Sequence, residues 1–352
     1  MKRTGYLGMS LLLMLILVVS ALPGLGQAAQ APAQAQANQP RAKTQPEYNA
    51  YLALYNEKDP AKKAELGEKF ITDFKESDFV PNAFKLIIQA YSAQKNWAKV
   101  LDAADRAAAF PMADNSLKGY AYGNAMVAAQ NMNDINKVIS YGEKVLAIDP
   151  NDLNTLITLS AVIPQKNPSD KAQLDRAAEM ASKALAGIQD MMAKADPQQK
   201  PQLVQIDGTL HGTLGLIAYN KQDYVKSIQE YQAAIMNNPK DDASHYFLAY
   251  DYIALMGQAS KDYQAALKKE NDLKAAKADQ PTIDEAAAQR ADFEEKIRKY
   301  RDQVIDELAI AVAINGPVAA QAKAELTKQW TAKNDSTAGL DEFIAQKKAQ
   351  LK

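Results

Sequence analysis

The stretch Gly208–Tyr252 contains a spaced pattern of small, apolar and aromatic residues that occurs twice. The first copy reads His211-x2-Leu214-Gly215-x2-Ala218, followed by Tyr224, Ser227, Tyr231, Ala234 and Pro239. Thirty-four residues after His211 the pattern restarts as His245-x2-Leu248-Ala249-x2-Tyr252. Apolar residues three and four apart indicate helices, and Pro239 indicates the end of one because proline cannot continue a helix. A fixed period of this length is typical of a chain built from repeated pairs of helices.

The pattern resembles the tetratricopeptide repeat, whose period is 34 residues and whose consensus is W-x2-L-G-x2-Y, then A-x3-F, then P. The matching residues are Leu214, Gly215, Tyr224, Tyr231, Ala234 and Pro239, whereas His211, Ala218 and Ser227 depart from the consensus. The resemblance implies an all-α fold: a right-handed superhelix, or α-solenoid, of antiparallel helix pairs A and B. Stacking of neighbouring pairs would bury a continuous core. It also implies that Gly215 and Ala249, at repeat position 8, lie where helices approach closely.

Residues 1–28 are predicted to be a secretory signal peptide. Lys2 and Arg3 form a basic start, Leu11–Val19 is apolar, and small residues follow at 26–29. The apolar run is shorter than the about 20 residues that a membrane-spanning helix needs. We therefore favour cleavage over an uncleaved membrane anchor, and expect export to the periplasm or the cell exterior. Contact with a membrane is expected only if this segment remains attached.

Three further segments are expected after the signal peptide. Residues 29–46 are rich in Ala, Gln and Pro without periodicity, which predicts a disordered linker. Residues 47–257 are predicted to form tetratricopeptide-like repeats, and residues 258–352 a degenerate repeat with C-terminal capping helices. In the first hairpin, Tyr48, Tyr51, Leu52 and Tyr55 are predicted to share one helix face. Thr282-x2-Glu285 predicts a capping box at the start of a long helix.

Composition and motifs oppose several classes of function. The absence of cysteine excludes disulfides, thiol catalysis and cysteine-based zinc sites. A net charge of −1 gives no electrostatic preference for nucleic acid. Nucleophile elbows, phosphate loops and metal-binding His spacings do not occur in the sequence. We accordingly predict no catalytic residue, no metal site and no cofactor.

The two histidines admit two interpretations. His211 and His245 are a metal-binding or acid–base pair, or they replace the packing residue at repeat position 4. Elsewhere that position holds Phe84, Tyr122 and Leu156. The shared position favours packing, which predicts that a phenylalanine would be tolerated at either histidine.

Tetratricopeptide proteins typically bind partners in a concave groove lined by the A helices. The resemblance places six residues in that groove: Lys85, Gln89, Tyr120, Leu216, Tyr246 and Tyr250. It implies a non-enzymatic scaffold that binds a protein or peptide. Alternatives are an envelope-assembly factor, a helical protein that binds a small ligand or glycan, and an enzyme whose residues follow no recognised motif.

Overall fold

The computed structural model describes residues 41–351, so the predicted signal peptide and residues 29–40 of the predicted linker lie outside the described residues. The described chain contains fourteen α-helices and no strand. Their bounds are α1 (Gln45–Asn56), α2 (Pro60–Asp73), α3 (Val80–Ala93), α4 (Trp97–Ala109), α5 (Asn115–Asn131), α6 (Ile135–Ile148), α7 (Leu153–Lys166), α8 (Lys171–Lys194), α9 (Lys200–Asn220), α10 (Tyr224–Asn237), α11 (Asp242–Ala275), α12 (Gln280–Ile314), α13 (Ala319–Asn334) and α14 (Leu340–Gln350).

The helices fall into two compact units. The first ends at Lys166 and contains α1–α7, and the second begins at Asn167 and contains α8–α14. Within each unit, successive helices from α1 to α7 and from α8 to α13 pack on one another, and α14 packs on α12. Short connections make such neighbours antiparallel. The predicted all-α solenoid of helix pairs is confirmed.

The turns between helices A and B repeat the same backbone geometry. Lys95, Asn133 and Gln222 adopt left-handed φ values of 55°, 55° and 64°. The next residue of each turn is an Asn or Asp whose side chain accepts a hydrogen bond from the backbone three residues later. The left-handed residue ends helix A, and the Asn or Asp caps helix B. The repeat therefore recurs in the backbone of both units.

Helix α1 differs from the sequence prediction at its start and in its faces. Thr44 and Glu47 form a capping box, so Gln45 and Pro46, assigned to the linker, lie in the first helical turn. Tyr51 stacks on Phe79 with ring centroids 4.2 Å apart. Tyr48, Leu52 and Tyr55 are instead 42–59% exposed. Only one side of α1 meets α2 and α3, so burial reaches Tyr51 and leaves the other three residues of this face exposed.

Helices α11 and α12 form a hairpin in which each helix is about 50 Å long. Helix α11 continues without interruption through residues 257 and 258, where the sequence places the end of the regular repeats. Small buried residues, Ala259, Ala266 and Ala286, lie between the two helices. Between the same two helices, Arg290 Nε donates to Glu270 Oε2 at 2.7 Å. These contacts hold α11 and α12 together over the part of the hairpin that extends beyond the core of the second unit.

The predicted capping box at Thr282 is wrong. Helix α12 begins at Gln280, two residues before Thr282, and its N-cap is Asp279. Pro281 lies in the first turn, where its missing N–H costs nothing because that group has no partner within the helix.

The core of the second unit lies among α10–α14. Its buried residues include Tyr231, Leu248 and Leu308, and Trp330 and Phe343 pack against its edge. Over residues 41–351, every helix is too short or too polar to cross a bilayer.

Candidate functional site

Three of the predicted groove residues meet in the first unit. The Lys85 ammonium lies 5.8 Å from the centroid of the Tyr120 ring. The Tyr120 hydroxyl donates to the backbone carbonyl of Lys85 at a long 3.4 Å, and the Gln89 side chain also hydrogen-bonds to Tyr120. Burial raises the pKa of Tyr120, and that hydrogen bond opposes the rise. Helices α3 and α5 therefore bring positions from consecutive repeats together, at a site that is mainly polar.

The second unit contains a cluster of tyrosines, which we call the tyrosine surface: Tyr219, Tyr224, Tyr246 and Tyr250. The Tyr246 hydroxyl donates to the Tyr250 hydroxyl at 3.0 Å, and their ring centroids are 4.8 Å apart. Tyr219 and Tyr224 meet edge to face at 5.7 Å. All four side chains are half-buried. Leu216, also half-buried, lies three residues before Tyr219 on α9.

The two tyrosine pairs lie close enough for the phenols of one pair to influence the pKa values of the other. Burial raises the pKa of Tyr219 to about 12, with Tyr224, Asp251 and Tyr250 contributing. Burial also raises the pKa of Tyr246, with Tyr250 and Tyr219 among the further causes. The sequence predicted Tyr246 and Tyr250 as groove residues but not Tyr219. Tyr219 stands at repeat position 12, one of the groove positions, so the same register could have identified it.

A buried carboxyl group lies behind the tyrosine surface. Asp251 is fully buried, and its Oδ2 lies 2.7 Å from Ser227 Oγ. Ser227 Oγ is also 2.9 Å from the carbonyl oxygen of Gly215. Asp251 Oδ1 is buried with no hydrogen-bond partner. Burial raises the pKa of Asp251 to about 7, although the bond to Ser227 lowers it. Three helices, α9, α10 and α11, thus meet at this one side chain.

Both histidines pair with glutamates on a B helix. His211 Nδ1 lies 2.8 Å from Glu230 Oε2, and His245 Nδ1 lies 2.6 Å from Glu307 Oε2. The hydrogen bond that His211 donates to Glu230 raises the pKa of His211; burial opposes this effect, and nearby Asp207 adds to it. The packing interpretation is therefore incomplete, because the imidazole nitrogens serve as hydrogen-bonding groups and a phenylalanine would supply none.

Among the residues the structure describes, no three His, Asp or Glu side chains are arranged so that they could hold a metal ion. Each histidine has a carboxylate partner of its own, and Asn237 donates to Asp207 at 2.6 Å. The tyrosine surface itself offers aromatic contact and phenol hydrogen bonding.

Comparison with known proteins identifies no family. No protein-family model matches the chain, and no curated protein matches it. Among solved structures, the chain is similar to one in the crystal structure of the APC/C hetero-tetramer Cut9-Hcn1. The two share 17% sequence identity with a TM-score of 0.24, over 78% of this chain. The match spans 54%, about half, of the length of that chain.

Proposed function

We propose that this chain is a non-enzymatic scaffold that binds a protein or peptide through its second unit. The observation that supports this function is the tyrosine surface, in which four half-buried rings from α9, α10 and α11 cluster. Tyrosine is favoured at protein interfaces because it combines a large apolar area with a polar tip and loses little side-chain entropy. Since the rings contact one another before any partner arrives, part of the ordering cost of binding is already met.

The matched test replaces two tyrosines at the surface and two elsewhere. Tyr246→Ala with Tyr250→Ala is expected to weaken a captured partner by about thirtyfold, roughly 2 kcal/mol, which is the scale of an interface hot spot. Tyr48→Ala with Tyr55→Ala, on the exposed side of α1, removes the same side chains from the first unit and is expected to leave affinity unchanged. Affinity is measured by titration calorimetry with the partner purified by affinity capture on the parent chain.

Two outcomes would contradict the proposal. If the Tyr246/Tyr250 variant keeps native circular dichroism and full affinity, the partner binds elsewhere. If the captured activity survives exhaustive proteolysis of the extract, the ligand is a glycan or small molecule rather than a protein.

We further propose that the scaffold works outside the cytoplasm. The basic start, the short apolar run and the small residues at 26–29 support this location. N-terminal sequencing of the mature protein is expected to begin between residues 27 and 33. Recovery of the chain with Met1 intact in the membrane fraction would indicate an anchor instead.

A further inference from the structure

The hydroxyl group of Ser227 has more acceptors than it can serve. Its single hydrogen faces both Asp251 Oδ2, at 2.7 Å, and the Gly215 carbonyl oxygen, at 2.9 Å. If Asp251 were ionised, both groups would be pure acceptors, and one short contact would lack a hydrogen. If Asp251 is a carboxylic acid, its own hydrogen points to Ser227 and that of Ser227 points to Gly215. Only the acid form satisfies both contacts.

Among residues 41–351, no cationic side chain contributes to the pKa of Asp251, so nothing there compensates a negative charge on it. Four phenols surround it: Tyr219 on α9, Tyr224 and Tyr231 on α10, and its neighbour Tyr252 on α11. The further charged groups that act on these phenols are acids, Asp241 on Tyr231 and Glu307 on Tyr252. The nearest histidines of α9 and α11 pair with Glu230 and Glu307. A buried carboxylate without a cationic partner is strongly disfavoured.

We propose that Asp251 is a buried carboxylic acid that stabilises the packing of α9, α10 and α11 behind the tyrosine surface, and that its ionisation loosens this surface. The effect on packing concerns the protein alone. The consequence for partner binding rests on the function proposed above, since that function assigns the partner to this surface.

The direction of the pH dependence is set by which state of the protein, folded or unfolded, binds the Asp251 proton more tightly. An unfolded aspartate titrates at about 3.9, whereas in the folded protein the pKa of Asp251 is raised to about 7. The folded state therefore holds the proton between these values, and stability falls as pH rises through this range. The raised pKa of His211 acts in the same direction, because its stabilisation is present below about 6.5 and is lost as pH rises through the folded pKa. A variant is needed to separate the two contributions.

Asp251→Asn is the decisive variant, because an amide has nearly the shape of the acid. Its Nδ2 group can donate to Ser227 at any pH, and Ser227 can still donate to Gly215. Asp262→Asn, on the exposed side of the same helix, is the matched control. Both are made with Trp97→Phe, so that fluorescence reports Trp330 of the second unit alone.

Urea unfolding at pH 5 and pH 8 gives the expected contrast. At pH 5 the parent has already lost part of its stability, because the unfolded aspartate ionises above about pH 3.9, so the ratio of the folding equilibrium constants of Asp251→Asn and the parent at this pH is the reference. At pH 8 this ratio should be larger by about tenfold or more, because each pH unit between the unfolded and folded pKa values lowers the folding constant of the parent tenfold. Asp262→Asn should follow the parent at both values. The same ratio at pH 5 and pH 8 would overturn the proposal.

Carboxyl carbon NMR tests the protonation directly, with the Asp251 signal assigned by its loss in Asp251→Asn. Titration near 7 is expected, and titration near the ordinary aspartate value of about 3.9 would overturn the proposal. The ring signals of Tyr246 and Tyr250 should shift with the same midpoint in the parent and not in Asp251→Asn. If these signals do not shift, ionisation of Asp251 does not loosen the tyrosine surface, and that part of the proposal is wrong. None of these measurements needs a partner, so failure of the binding experiment would leave them unaffected.

Discussion

His245→Phe is expected to lower the free energy of unfolding by about 2–4 kcal/mol. The imidazole is 7% exposed and bridges two acceptors, Glu307 Oε2 at 2.6 Å and the carbonyl oxygen of Pro239 at 3.2 Å. A phenylalanine fits the aromatic slot but leaves both acceptors without a donor. A buried acceptor that loses its hydrogen-bond partner costs about 1–3 kcal/mol, and a charged acceptor costs more. The Glu307 side chain is 20% exposed, so water screens part of that cost.

A double-mutant cycle assigns the loss to the pair. Glu307→Gln alone and His245→Phe with Glu307→Gln complete the cycle, measured by urea unfolding with Trp330 as the reporter. If the pair matters, the double variant should recover part of the loss, with a coupling energy of about 1–3 kcal/mol. Stability of His245→Phe within about 0.5 kcal/mol of the parent, the range of a surface change, would restore the packing interpretation.

Gly215→Leu is expected to destabilise the second unit by about 1–2 kcal/mol. A Cβ atom at Gly215 would lie 3.0 Å from three atoms of the Tyr231 ring. Tyr231 is 2% exposed and stacks on Phe247 with centroids 5.9 Å apart, so it has little room to move. Overpacking costs about 1–3 kcal/mol and sometimes more. The better helix propensity of leucine returns at most about 1 kcal/mol.

Gly257→Leu is the control for Gly215→Leu. Gly257 also lies inside a helix, but a Cβ atom there meets no atom within 4 Å. Gly257→Leu should therefore stabilise the chain by up to about 1 kcal/mol, the propensity gain alone. The difference between the two variants in urea isolates the contact with Tyr231. If both variants are equally stable, Gly215 is not at a close helix contact and the repeat register is wrong.

Features set by neighbouring residues could be predicted from the sequence. Helix pairing follows from apolar residues three and four apart. The end of a helix A follows from a turn such as Gln222-Asp223, where a left-handed residue and a cap meet. The close approach of two helices at Gly215 follows from the repeat, because position 8 meets the adjacent helix in the same way in each copy. For the same reason Tyr246 and Tyr250, four residues apart on one helix, were expected to lie together.

Features set by distant partners required the tertiary structure. His245 and Glu307 are separated by 62 residues, and no local pattern links them. Asp251 looks like an ordinary charged residue of a helix in sequence, yet three helices enclose it with Ser227 as its one hydrogen-bonding side chain among the described residues. Likewise, the spacing of Tyr48, Tyr51, Leu52 and Tyr55 shows that they share a helix but not which side α2 and α3 cover. Spacing along a chain fixes local geometry, whereas burial, and with it the proton on a carboxyl group, depends on which helices fold against that residue.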